Sequence, residues 1–346
     1  MTAMPILITQ GDPAGIGPEI IAKAFRDAPG DMAGCVVAGD VATLQRAARV
    51  VGGLLPVAVL DSPADGAQVP PRCVPVWQAC APCAPEALPP FGHVSAQAGA
   101  AAADCIAAAA RAVLGGRASA VVTAPIHKEA FSAAGFHHPG HTEFLQALAA
   151  EHRGCSIADV PVRMMLANPE LKTVLVSIHV SLRQAIEAVT FDNVLQTLRI
   201  VQTSLGPALG LNGRPLRVGV AGLNPHAGEG GLFGREEIDT IAPAVAQARL
   251  EGLDVYGPFA PDTVFMRART GEFDVVVAMY HDQGLIPVKY LGVEHGVNVT
   301  LGLPFVRSSP DHGTAFDVAG TGVADPSSLL AAVRWARQAV SHPQPL

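Results

Sequence analysis

Val275-Val276-Val277-Ala278-Met279-Tyr280-His281-Asp282 sets the pattern of the whole chain: a short apolar run that stops abruptly at polar, reactive side chains. A run this short, apolar on every residue, suits a parallel strand buried on both faces. The same pattern recurs at 5–9 before Gln10-Gly11-Asp12, at 35–39, and at 120–123 before Ala124-Pro125. It returns at 174–178 before His179 and at 217–221 before Asn224-Pro225-His226. Between these runs the spacing predicts helices at 18–26, 42–51, 96–114, 142–151, 191–205, 236–250 and 327–340. Strands alternating with helices specify an α/β fold with a largely parallel sheet, in which ligands gather beyond the carboxyl ends of the strands.

With 346 residues the chain suits two domains with a cleft between them. The expected division places 1–125 with 285–346 in a first α/β/α domain and 126–284 in a second. A net charge of -7 without any Lys/Arg run argues against nucleic acid or an anionic membrane as partner. The first residues carry no basic flank, so they read as an opening strand rather than a signal peptide, and a cytoplasmic location is expected. The alanine-rich stretch 99–114 is interrupted by Asp104 and Arg111 and is too short to span a bilayer. Cys80 and Cys83 form an isolated C-x-x-C in the Pro/Cys-rich stretch 61–92, read as an embellished connection with the cysteines on an incidental surface loop.

The segment 280–322 holds two imidazole–carboxylate pairs, His281 with Asp282 and Asp311 with His312, together with Lys289, Asn298 and Arg307. Its glycines and prolines place these groups on turns between short strands. His179, His226 and His281 all follow strands, which matches a three-histidine site for a divalent cation with positions left open for substrate oxygens. Asp262 and Asp282 are candidates to orient these ligands or join them. Nitrogen ligands favour zinc, cobalt or manganese over calcium, with magnesium retained as a candidate. His141 and Thr142 open a helix, where outward N–H groups offer a seat for phosphate or carboxylate, and Lys289 and Arg307 can supply charge. There is no H-E-x-x-H and no P-loop, and Gly228, Gly230 and Gly234 have the wrong spacing for a dinucleotide fingerprint.

The run Gly11-Asp12 through Gly15-Ile16-Gly17-Pro18-Glu19-Ile20 resembles the opening of isocitrate and isopropylmalate dehydrogenases. His312-Gly313-Thr314-Ala315, with Asp317 and Gly320, resembles their adenosine-binding loop. The interior departs from them: no arginine stands between 95 and 110, and histidines replace their metal-binding aspartates.

Over nearly its whole length the chain resembles the 4-hydroxythreonine-4-phosphate dehydrogenase family, through TAPIHKEAF, PGHTEFL, NPHAGEGGLFGREEIDTI, GPFAPDTVF, MYHDQGLIPVK and GVNVTLGLPFVRSSPDHGTAFD. That resemblance implies two α/β/α domains and a homodimer whose metal site is completed across the subunit interface. It implies His179, His226 and His281 as metal ligands and His141, Thr142, Lys289, Asn298 and Arg307 as substrate contacts. The chemistry implied is NAD-linked oxidation and decarboxylation of 4-phosphohydroxy-L-threonine, a step of pyridoxal phosphate biosynthesis, with Lys289, Asp282 and Asp262 as catalytic candidates and Lys289 shuttling the proton. No arginine other than Arg307 adjoins the 312–317 loop, which favours NAD over NADP. The alternatives are a paralogue acting on D-threonate or D-erythronate 4-phosphate or on a cyclic dihydrodiol carboxylate, and a phosphate acyltransferase on a similar fold.

Overall fold

The computed structural model describes residues 4–211, 213–292 and 294–341. The chain forms two compact units, one of residues through Pro161 together with Leu303–Val340, the other Val162–Gly302. The first unit opens with β1 (Ile6–Thr9), α1 (Gly17–Asp27), β2 (Cys35–Gly39), α2 (Val41–Val51), β3 (Val57–Leu60) and β4 (Val74–Gln78). It continues with α3 (Ala96–Leu114), β5 (Ala120–Thr123), α4 (Lys128–Ala133) and α5 (His141–Arg153). Every residue of β1, β2 and β5 is buried, so these apolar runs form the centre of a parallel sheet in the order β3-β4-β2-β1-β5.

The stretch 61–92 is more than a connection, because β4 pairs in parallel with both β2 and β3. Pro75 hid this strand, since proline inside a run argues against a central strand; here it sits opposite Ala58 in the ladder. Ala98, Ala102, Ala103, Ala109, Ala110 and Ala112 of α3 are buried, and α4 and α5 lie against this helix, which small side chains allow. Among the described residues no helix is long and apolar enough to cross a membrane.

The second unit begins with β6 (Arg163–Ala167) and β7 (Lys172–Leu175), an antiparallel hairpin whose turn is held by Asn168, its Oδ1 accepting from the N–H groups of Glu170 and Leu171. Then come α6 (Leu182–Ala188), α7 (Phe191–Ala208), β8 (Val218–Ala221), α8 (Ala242–Leu250), β9 (Val255–Phe259), α9 (Pro261–Arg269), β10 (Val275–Ala278), α10 (His281–Tyr290) and β11 (Val297–Leu301). The strand order is β11-β6-β7-β10-β8-β9, with the last four parallel and β6 antiparallel to both its neighbours. Leu175, Val276, Ala278, Leu285 and Val288 belong to one buried cluster that seats α10 on this sheet. The chain then returns to the first unit through β12 (Val306–Pro310), parallel beside β5, and α11 (Ser327–Ser341).

The unit boundaries fall at 161/162 and 302/303 rather than at the expected 125/126 and 284/285. The reason is packing: α4 and α5 lie on α3, while α10 and β11 lie on β6 and β7. Residues 342–346, expected in the first domain, lie outside the described residues.

The segment 280–322 also differs from a series of turns and strands, for His281, Asp282 and Lys289 share α10. Gly284 and Pro287 suggested breaks, but a Cβ at 284 would stand 2.4 Å from Leu175 Cδ2, so this glycine admits the helix to the sheet. Thr173 Oγ1 donates to the Gly284 carbonyl at 3.0 Å at the same point.

Candidate functional site

In the second unit His179 follows β7, His226 follows β8, Asp262 opens α9 after β9, and His281 opens α10 after β10. All four therefore stand at the carboxyl edge of the parallel strands; the sequence pattern placed the three histidines there, while β9 before Asp262 was not expected. The rings of His179 and His281 face each other with centroids 5.6 Å apart. His281 Nδ1 is 2.7 Å from Asp282 Oδ1, an exposed pair suited to orienting the ring. His226 instead lies beside Phe233 and, at 3.7 Å, Glu229. Among the described residues no group of three or more His, Cys, Asp or Glu side chains is placed to hold a metal ion. The structure thus pairs His179 with His281 and leaves His226 apart within one chain.

Two backbone features mark these histidines. His179 has φ 44 and His226 φ 53, left-handed values that cost a residue with a Cβ about 1–3 kcal/mol. Ala227 and Glu229 share that conformation. Glu237, almost fully buried at 3 % exposure, holds the turn by accepting from the N–H groups of Leu223 and Asn224, both at 2.7 Å, and from Asn224 Nδ2 at 3.0 Å. It stands in a π-helical turn, Glu237–Ile241, that leads into α8. Gln283 links two strand ends, accepting from Met279 N and donating to the Gly222 carbonyl, each at 2.7 Å. Neither Glu237 nor Gln283 was singled out by sequence, because a carboxylate in a helix's first turn and an amide in a stretch read as a turn look ordinary until the loops they hold are seen.

Lys289 is exposed in the last turn of α10, eight residues from His281, which at 1.5 Å per residue is about 12 Å along the axis. The same helix therefore separates Lys289 from His281 and Asp282 rather than gathering them. Asn298 is half-buried on β11, in register with Leu166 of β6.

In the first unit Arg307 on β12 is 3 % exposed and donates from Nε and Nη2 to Thr123 Oγ1, at 3.2 and 2.7 Å. Burial draws its pKa down to about 10, with the Glu143 carboxylate opposing the fall, so it remains a cation at neutral pH. His141 begins α5, and its ring hydrogen-bonds the backbone of Ala124 after β5. Burial and the Arg307 charge push His141 well below the usual imidazole range, so its ring is neutral. The His141 Nε2 is buried with no partner among protein atoms. A buried guanidinium, an orphan imidazole nitrogen and the first turn of a helix, with Thr142 half-buried in it, thus lie close together in the first unit.

The opening motif and the 312–317 loop meet in this same unit. Ile16 N donates to the Thr314 carbonyl at 3.0 Å, and a Cβ at Gly15 would stand 3.0 Å from both Thr314 Cβ and the Thr314 carbonyl oxygen. Glu19, 2 % exposed, accepts from Gly320 N at 3.1 Å and Ala324 N at 3.0 Å, so the carboxylate read as a helix-dipole partner also pins the following loop. Phe316 stacks on His127 at 4.7 Å. His312 lies with Nδ1 3.0 Å from the Gly313 carbonyl, and its Nε2, like Asp12 Oδ2 and His127 Nδ1, is a buried polar atom without a protein partner. Burial raises the Asp12 carboxyl above its ordinary range. Orphaned polar atoms beside a glycine-lined loop fit a polar ligand. Asp12, quoted from sequence as part of a strand end, and His127, inside the TAPIHKEAF run, carry orphaned polar atoms to which the sequence assigned no role.

The model of the family "Pyridoxal phosphate biosynthetic protein PdxA" matches residues 31–336. A 4-hydroxythreonine-4-phosphate dehydrogenase of Beijerinckia indica is 51 % identical over 96 % of this chain and 94 % of its own length. A D-threonate 4-phosphate dehydrogenase of Pectobacterium atrosepticum is 43 % identical over 96 % of this chain and 98 % of its own. The crystal structure of 4-hydroxythreonine-4-phosphate dehydrogenase from Klebsiella pneumoniae superposes with a TM-score of 0.85 at 41 % identity, covering 98 % of this chain and 100 % of that one. Motifs, fold and relatives agree over almost all of the sequence, and the chain belongs to the PdxA family as one of its oxidoreductases.

Proposed function

We propose that the chain oxidises and decarboxylates 4-phosphohydroxy-L-threonine to 3-amino-2-oxopropyl phosphate with NAD as acceptor and a divalent cation as cofactor. The observation that carries this reading is the buried Arg307 guanidinium beside the orphan Nε2 of His141, a seat matched to the dianionic end of a phosphorylated substrate. His141, Thr142 and Arg307 bind the phosphate, while Lys289 and Asn298 bind and orient the rest of the molecule. His179 and His281 hold the cation, and His226 completes the set in a homodimer, which accounts for its separation within one chain. Zinc, cobalt, manganese and magnesium are the candidate ions.

When bound, the cation lowers the pKa of the substrate hydroxyl and polarises the carbonyl that follows. Asp282 holds His281 through its 2.7 Å contact, and Asp262 supports the same strand edge. Lys289 carries the proton to and from the substrate from the distal turn of α10. His312, Gly313 and Thr314 hold the nicotinamide cofactor on the loop fixed by Ile16 and Glu19, and NAD is favoured over NADP.

The test is purified protein with added divalent cation and NAD, followed by the absorbance of reduced nicotinamide. Turnover of 4-phosphohydroxy-L-threonine well above that of D-threonate and D-erythronate 4-phosphates supports the reading. A reversed preference supports the paralogous activity, which the 43 % identical D-threonate 4-phosphate dehydrogenase keeps in view.

A further inference from the structure

The proline-rich stretch 61–92, to which the proposed activity gives no part, ends against two loops of the first unit. Arg46, half-buried on α2, ties its last residues to the opening motif. Its Nη1 donates to the Pro89 carbonyl and its Nη2 to the Pro13 carbonyl, both at 2.7 Å. A proline has no N–H, so its carbonyl is the backbone group by which it can be held, and one planar guanidinium takes both carbonyls at once. The Arg46 Cζ also lies 4.1 Å from the centroid of the Phe91 ring, within reach of a cation–π attraction.

Phe91 and Gly92 carry this anchor to both loops. Gly92 N donates to the Ala14 carbonyl at 2.9 Å. Gly92 has φ 72, and a Cβ there would stand 2.9 Å from the Phe316 carbonyl oxygen. The Phe91 ring occupies the open side of Gly320, where a Cβ would meet Phe91 Cδ2 at 2.3 Å. The end of the stretch therefore touches the opening loop, 13–17, and the 312–322 loop, which themselves meet at Gly15 and Thr314.

We infer, on the reading that His312, Gly313 and Thr314 hold a nicotinamide dinucleotide, that Arg46 and Phe91 are positioning residues for it, fixing the spacing of the opening loop and the 312–322 loop. Both act through other groups: the terminal nitrogens of Arg46 are given to Pro89 and Pro13, and the Phe91 ring to Arg46 and Gly320. Loss of the guanidinium frees Pro13 from Pro89, and loss of the ring removes what Gly320 rests on. The buried Arg307 is held separately, by Thr123 on β5, so recognition of a phosphorylated substrate does not depend on this tie.

Binding of NAD to the full chain is measured by titration calorimetry well below the unfolding midpoint of every variant, where lost global stability leaves the affinity of a folded site unchanged. The expected dissociation constant is about 10- to 100-fold higher in Arg46→Met, as displacement of a binding group by a distant change can produce. It rises in the same direction in Phe91→Leu and recovers in part in Arg46→Lys, which keeps a cation over the ring. In steady state the KM for NAD rises while the KM for the phosphorylated substrate holds. Ile106→Val, a change in the buried core of α3, is the stability control and keeps wild-type affinity. Should Arg46→Met not fold, Phe91→Leu decides. Wild-type affinity in these variants, or an equal loss in Ile106→Val, would overturn the inference alone. A wild-type chain that binds neither NAD nor NADP would overturn the cofactor reading and this inference with it.

Discussion

The rings of His179 and His281 face each other at 5.6 Å between centroids, inclined by 43°. They come from different strand ends, and His179 sits there at a strained φ of 44. Under the proposed function this strain sets His179 against a second imidazole for shared metal ligation. Replacing either ring by alanine is therefore expected to weaken cobalt or zinc binding by about 100-fold or more, since even indirect supporting groups are worth about 10–100-fold. Titration with cobalt, read by its visible spectrum, measures this. Unaltered affinity in both variants would remove the proposed metal centre.

Thr123 Oγ1 accepts two N–H bonds from the buried Arg307. Thr123→Val keeps the shape and deletes the acceptor. A hydrogen bond to a charged group is worth about 1.5–3 kcal/mol, so stability should fall by roughly 2 kcal/mol and the KM for a phosphorylated substrate should rise about 30-fold. Urea unfolding and steady-state kinetics give the two values. If stability falls with KM unchanged, Arg307 is structural rather than a phosphate ligand.

His141 supplies a pH dependence with a definite sign. Its folded pKa lies well below the ordinary 6.5, so between those two values the unfolded chain binds more protons than the folded one. The contribution of His141 to stability thus rises with pH in that window and is lost as pH falls below 6.5. Phosphate placed against the ring restores a partner for its charged form, so phosphate should bind more tightly as pH falls. Unfolding free energies across this range, for the wild type and His141→Gln with and without phosphate, test both signs. Identical pH slopes in the two proteins would show that His141 contributes neither effect.

Glu237 holds the turn that carries His226 through two backbone N–H groups at 2.7 Å. Glu237→Gln retains one acceptor oxygen and loses the charge. Stability should drop by about 1–3 kcal/mol, and cation affinity of the assembled protein should fall with it. Comparing the variant with His226→Ala separates positioning from ligation, since only loss of the imidazole removes a ligand outright. A variant with wild-type affinity and thermal midpoint would show that the turn holds without this carboxylate.

The sheet-edge logic was legible because the buried strands are short apolar runs ending in polar residues, as in Ala278-Met279 before His281. It placed the three histidines on one edge without requiring any contact between them, and it missed β9, which brings Asp262 to the same edge. Three-dimensional packing decided what sequence could not: β4 hid behind Pro75, and α10 behind Gly284 and Pro287. Glu19 was legible as a first-turn carboxylate, but its grip on Gly320 and Ala324 spans about 300 positions and leaves no local signal. His127 escaped notice for the same reason, its stacking partner Phe316 lying far along the chain.

Gly284 offers the sharpest test of the packing argument, because two effects of known sign compete there. In an exposed helix, Gly→Ala stabilises by about 1 kcal/mol. Here the added methyl would meet Leu175 Cδ2 at 2.4 Å and Ala278 Cβ at 3.1 Å, while Thr173 Oγ1 is already bonded to the Gly284 carbonyl. Overpacking a buried contact costs about 1–3 kcal/mol, so Gly284→Ala should destabilise despite its helical preference. Since the closest atom is the end of a leucine, adding Leu175→Val should recover part of the loss, giving a favourable coupling in a double-mutant cycle. Urea unfolding of the four proteins measures it. A stabilised single variant would mean that α10 stands further from β7 than the structure places it, and with it His281 from His179.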